Sequence, residues 1–201
     1  MTKIDTSRPQ SVLPSPSHTV GLFYGYALTF PSGGDIAPLG HPDTITVQGY
    51  VYDGEVNPLP DAFVELWGPA PDGQVPRVDG SMRRDPATGG HLGRNSVEFT
   101  GWGRIQTDAN GHWYTRTLRP GALGRNAPYL SACVFSHGLL VHLFTRIYLP
   151  GDEATLAADP LLARLDEERH GTLIAADEGR GTYRFDIRLQ GQGETVFLEF
   201  Q

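Results

Sequence analysis

Apolar and polar side chains alternate through Thr44–Asp53, a stretch rich in β-branched and aromatic residues, and this pattern predicts a strand. A second strand is predicted over Ala62–Trp67, entered through the turn Pro58-Leu59-Pro60-Asp61. From Gly68 to Asn95 the pattern disappears into Pro, Gly, Asp and Arg, which predicts one long loop of the kind that usually carries function or an interface. Arg104–Thr107 and Trp113–Leu118 read as a hairpin, because the polar turn Asp108-Ala109-Asn110-Gly111 ends in glycine between them. Tyr129–Phe135 and Leu139–Tyr148 are nearly continuous apolar strands separated by Ser136-His137-Gly138. Helical spacing is confined to Asp152–Leu165, with Asp152 as cap and Pro160 dividing the segment. Thr172–Ala175, Tyr183–Leu189 and Thr195–Phe200 close the pattern as strands. Many short strands with one short helical segment predict an all-β sandwich with long loops.

Composition narrows the field. The chain has 201 residues, enough for one domain with a substantial core, and its Gly 25 and Pro 16 suit many turns between strands. Residues 1–18 lack periodicity and predict an extended N-terminal arm ahead of a sandwich domain over 19–201. A net charge of −7, with Lys3 the only lysine and the arginines dispersed, argues against nucleic acid as a partner. The single cysteine, Cys133, excludes an internal disulfide framework and, inside an apolar run, predicts an inert thiol. Met1–Gln10 has no apolar leader, and no apolar stretch approaches the ~20 residues of a membrane helix, so the expected location is the cytoplasm, with no membrane partner.

Candidate chemistry is sparse. The histidines at 18, 41, 91, 112, 137, 142 and 170 include no i, i+2 pair of the sort a strand could aim at one metal. His137 and His142 are five apart and would face opposite sides of a continuous strand. His41-Pro42-Asp43 is a short His-x-Asp match that lies before the first strand. No Gly-x-Ser-x-Gly elbow occurs, Gly191-Gln192-Gly193 reads as a turn, and Glu167–His170 reads as a solvated helix end. Taken alone, these residues describe a sandwich without a catalytic constellation.

Three stretches carry a resemblance. Tyr183–Arg188 with Gly191–Phe200, Val64-Glu65-Leu66-Trp67, and Gly101–Asp108 are similar to the intradiol ring-cleavage dioxygenases. Within them they resemble the α subunits of the protocatechuate 3,4-dioxygenase family, a likeness that spans about residues 13–200. The resemblance implies an intradiol-type sandwich that builds an active site together with a homologous β subunit. In that family the β subunit binds Fe(3+) through two tyrosines and a His-x-His pair. Here Leu123 stands at the second tyrosine position, Tyr129-Leu130-Ser131 stands at the His-x-His, and no tyrosine lies between Tyr52 and Tyr114 to fill the first. The implied iron is therefore the partner's, and this chain carries no metal ligand and no catalytic residue of its own.

The same resemblance implies substrate contacts. The family's Thr-x-Gly-Pro-Tyr arm motif is matched by Thr19-Val20-Gly21-Leu22-Phe23, and its Phe-Ala-Arg-Gly stretch by Phe135-Ser136-His137-Gly138. Thr19, Gly21, Leu22, Phe23 and His137 are thus the implied substrate-binding set, with an imidazole where the family has a guanidinium. Val141–Tyr148 reads as a core strand with His142 buried in it. The implied reaction is O2-dependent intradiol cleavage of protocatechuate, a catecholic acid, to 3-carboxy-cis,cis-muconate by an (αβ)n hetero-oligomer. Two alternatives stay open: a self-sufficient dioxygenase recruiting Tyr114, Tyr129, His137 or His142, and a non-catalytic binding module.

Overall fold

A computed structural model describes residues 21, 28–77, 82–94 and 96–200. The 1–18 arm lies outside them. Two sheets face each other across a shared core. The first is built on β1 (Thr44–Tyr52), whose Ile45, Val47 and Val51 point inward while the intervening positions face out. β1 runs antiparallel to β6 (His112–Leu118) on one side and parallel to β10 (Thr182–Arg184) and β11 (Ile187–Arg188) on the other. β9 (Ala176–Gly179) pairs with β10 at the edge. The second sheet is antiparallel, in the order β5 (Trp102–Gln106), β2 (Phe63–Trp67), β7 (Tyr129–Phe135), β8 (Leu143–Tyr148).

Val47, Val51, Trp113 and Ile187 from the first sheet meet Val64, Leu66, Leu130, Val134 and Ile147 from the second. Each such side chain, fully buried, contributes about 1.5–3 kcal/mol of apolar transfer free energy. A smaller cluster of Ala127, Tyr129, Tyr148, Leu162 and Leu173 fills the space under the helical segment. That segment has the predicted break. Asp152 caps α1 (Glu153–Ala157) by accepting from the Ala154 N–H at 3.1 Å, Pro160 follows, and a 3-10 turn (Leu162–Arg164) precedes α2 (Glu167–His170).

The structure corrects four sequence expectations. The turn Asp108–Gly111 forms, with the Asp108 N–H bonded to the His112 carbonyl at 2.8 Å, but it joins no hairpin. β5 pairs with β2 and β6 with β1, so the turn is an arch that carries the chain from one sheet to the other. The stretch expected to be loop throughout contains a hairpin of β3 (Met82–Arg84) and β4 (His91–Arg94). Its turn is made by Asp85, whose carboxylate accepts from the Ala87 N–H at 2.8 Å and the Thr88 hydroxyl at 3.0 Å, with Gly89 at φ +69°. Residues 139–142 form a turn rather than the start of β8. Thr172–Ala175 and Thr195–Phe200 each hold only single bridges, Ile174 to Tyr148 and Leu198 to Phe144, rather than strands.

Candidate functional site: the outer face of the second sheet

Alternation along β7 sends Leu130, Ala132 and Val134 into the core, so Tyr129, Ser131, Cys133 and Phe135 point to the outer face. Register then builds that face row by row. Trp102, Trp67, Ser131 and Arg146 form one row; Arg104, Glu65, Cys133 and Phe144 form the next; Tyr129 lies opposite Tyr148 at one end.

The β5 edge is where the chain arrives from the arm. Phe30 stacks on Trp102 with ring centres 5.9 Å apart, and the Arg94 guanidinium lies over both rings at 5.7 and 5.8 Å. Arg94 also donates to the Gly33 carbonyl at 3.2 Å and the Thr100 hydroxyl at 2.7 Å. Burial brings its guanidinium down to about 10, against the pull of Asp35, so it stays cationic at neutral pH. Arg104 donates to Glu65 at 2.6 Å, lies over Trp102 at 5.3 Å, and binds the Leu28 carbonyl at 3.0 Å. These contacts fasten residues 28–34 along the sheet edge. Beside them Cys133 is half-buried, and desolvation followed by the Glu65 carboxylate pushes its thiol up to about 12. It is a protonated, unreactive thiol, in keeping with its apolar sequence context.

The other end of the face is polar and closed. The Arg146 guanidinium lies over the Tyr129 ring at 4.1 Å and donates to the Tyr148 hydroxyl at 3.0 Å and to the Asn126 side-chain oxygen at 3.2 Å. Tyr148 in turn donates to Asp159 at 2.9 Å. Burial, only partly offset by Arg146, drives the Tyr148 hydroxyl well above the usual phenol range. Burial tends to lower the Arg146 pKa, but its hydrogen bond to Tyr148 and the nearby acidic groups leave it raised. Asn126 also clasps the Leu123 carbonyl at 2.9 Å, which places the loop carrying Leu123 beside this cluster.

The residues at the family's ligand positions do not fit a ferric ion. Leu123 has no donor atom, Ser131 offers a neutral hydroxyl, and Tyr129 lies under a guanidinium. Among the described residues no group of three or more His, Cys, Asp or Glu is placed to hold a metal. Two of the displaced-ligand candidates are not brought together. Tyr114 is exposed on the outer face of the first sheet, next to His112, whereas Tyr129 is on the outer face of the second.

Of the implied substrate residues, Thr19, Leu22 and Phe23 lie outside the described residues. Gly21 is exposed, and a Cβ added there would meet nothing within 4 Å. His137 is exposed on the turn that follows β7, and among the described residues no acidic side chain pairs with it. No described contact joins Gly21 to His137. His142, expected in the core, is instead exposed and wedged between Phe135 and Phe144 at 5.4 and 4.7 Å, because the strand starts one residue after it. The Arg146–Tyr148–Asp159 cluster was not foreseen. Its one sequence signal is the spacing of Arg146 and Tyr148, which puts two polar groups on the same face of an apolar strand.

Comparison with known proteins fits this geometry. No protein-family model matches the chain. It is 35% identical to the protocatechuate 3,4-dioxygenase alpha chain of Burkholderia cepacia, over 92% of this chain and 96% of that one. It is 31% identical to the alpha chain of Pseudomonas putida, over 96% and 100%. The Burkholderia cepacia beta chain is also 31% identical, over 79% of this chain and 68% of the relative. Among solved structures, the dioxygenase domain of a dioxygenase carbohydrate-binding fusion from Streptomyces sp. SirexAA-E superposes with a TM-score of 0.55 at 20% identity, covering 88% of this chain and 99% of that one. Catechol 1,2-dioxygenase from Pseudomonas arvilla C-1 superposes at 0.51 with 22% identity, covering 78% and 55%. These structural likenesses establish the fold as that of the intradiol dioxygenases.

Proposed function

The chain belongs to the protocatechuate 3,4-dioxygenase alpha-chain family, and on that premise we propose that it completes the active site of an iron-bearing beta chain for the intradiol cleavage of protocatechuate by O2. The observation that carries this reading is the outer face of β7 and β8. Where an iron-binding chain would need two imidazoles, this one presents Tyr129 and Ser131, with Arg146 between them and the helical segment.

The chain's contribution to the reaction is then that of a wall and an anion site. Thr19, Gly21, Leu22 and Phe23 are the proposed contacts with the partner's pocket, where a threonine hydroxyl can donate to the substrate carboxylate or an ordered water. Leu22 and Phe23 are apolar and exclude water from the ring. His137, exposed on the turn after β7, is the side chain offered to the substrate carboxylate. The iron, held by the partner, would supply the activation of the bound catecholate, which then reacts with O2. The product is 3-carboxy-cis,cis-muconate, the assembly is an (αβ)n hetero-oligomer, and the compartment is the cytoplasm. Oxygen uptake with protocatechuate, measured for this chain alone, its partner alone and the two co-expressed, tests the proposal. Full turnover from the co-expressed pair and none from this chain alone is expected; turnover by this chain alone would overturn it.

A further inference from the structure

Beside the helical segment, the outer face of β7 and β8 holds a half-buried cation that the proposed reaction does not use. Arg146 stacks on Tyr129 at 4.1 Å and reaches Tyr148 and Asn126 at 3.0 and 3.2 Å. Asp159, with none of its surface exposed, answers it through the Tyr148 hydroxyl. Its carboxylate also accepts from the backbone N–H groups of Ala127, Leu161 and Leu162 at 2.9, 2.8 and 3.2 Å. One cation and one anion face each other across a phenol.

The linked residues come from four segments. Tyr129 belongs to β7, Asn126 and Ala127 to the loop before it, Arg146 and Tyr148 to β8, and Asp159 to the break between α1 and the 3-10 turn. A single positive centre that gathers segments distant in sequence is the structural work a coordinated metal does in a small domain. We infer that Arg146 occupies an internal guanidinium site, which cross-links these four segments in place of a metal ion and is shaped for a planar guanidinium rather than an ammonium. The shape follows from the contacts. Both acceptors bond to one terminal nitrogen, Nη1, while the carbon centre of the same group lies over the Tyr129 ring at 4.1 Å. A weakly hydrated planar guanidinium stacks on an aromatic face while donating from its edge, whereas an ammonium is a strongly hydrated point charge. A metal ion is refused by the same arrangement, since the Tyr148 hydroxyl is engaged as both donor and acceptor and stays protonated. That Tyr129 stands at one of the family's two histidine positions rests on the resemblance; the guanidinium site rests on geometry.

Thermal unfolding of the full chain tests it, with Arg146→Ala, Arg146→Lys and Arg146→Met beside the wild type. Each is measured with and without millimolar methylguanidinium, methylammonium or methylurea. The alanine variant is expected to lose roughly 3–10 °C in Tm, the worth of a half-buried cation–ring contact and two charge-assisted hydrogen bonds. Methylguanidinium, and neither other additive, is expected to restore several degrees while leaving the wild type unmoved. Should Arg146→Ala not fold, Lys and Met decide: both are expected below the wild type, and neither additive-sensitive. A methionine variant as stable as the wild type, or an equal response to all three additives, would overturn the inference. Neither result depends on the partner chain or on turnover, so failure here and failure of the proposed function are separable.

Discussion

In the proposed function, His137 is the residue of this chain that would face the substrate carboxylate. A guanidinium is charged at every working pH, whereas an imidazole is charged only below its titration near neutrality. If His137 faces the substrate carboxylate, replacing it by Arg places a fixed charge there and raises kcat/KM of the assembled enzyme at pH ~8 by about 3- to 10-fold, the worth of one partly solvated charge-assisted hydrogen bond. The check is kcat/KM from pH ~5 to ~9 for both forms; coincident profiles would remove His137 from the pocket. This residue was legible in the sequence because a local motif, Phe135-Ser136-His137-Gly138, brought it forward. Arg146 was not. Its partners Tyr129 and Asp159 are 17 residues before and 13 after it in the chain, and only the β7–β8 register and the break at Pro160 bring them together.

At the scale of elements, what the alternation could say it said correctly, and what it could not say explains the misses. β1, β2, β7 and the capped α1 all follow from local period and caps. The Asp108–Gly111 turn, by contrast, fixes only the local backbone path. Whether the flanking strands pair with each other or enter opposite sheets is decided by β1 and β2, far earlier in the chain. The β3–β4 hairpin was hidden because its strands are short and polar and its turn chemistry at Asp85 sits in a run of glycine and proline. Another feature invisible locally is the close passage of the last strands over β1. A Cβ at Gly49 would lie 1.9 Å from the Phe185 carbonyl oxygen, at the step where the chain crosses from β10 to β11. Gly49→Ala is therefore expected to lose about 2–4 kcal/mol, since backbone rather than a flexible side chain must move. Gly40→Ala, at φ +75° with nothing within 4 Å, is the control and costs about 1 kcal/mol of left-handed strain alone. Urea unfolding of the two variants separates them; equal losses would mean that the strands part freely at Gly49.

For the whole molecule, the two faces of the sandwich have different destinies. The second sheet presents an arm anchored at its β5 edge, a turn bearing His137 beyond β7, and between Tyr129 and Asp159 a closed cluster with a guanidinium at its centre. No helix among the described residues is long and apolar enough to cross a membrane. Everything on that outer face points to a chain that keeps an enzyme's fold and lends its surface to another chain's chemistry. The account stands or falls on where the iron is. Ferric iron bound by tyrosinate is strongly coloured, so the decisive measurement is iron content and visible absorption of this chain purified alone and again after co-expression with the beta chain. A colourless, iron-free chain and a coloured complex are expected; colour and stoichiometric iron in the isolated chain would contradict the account.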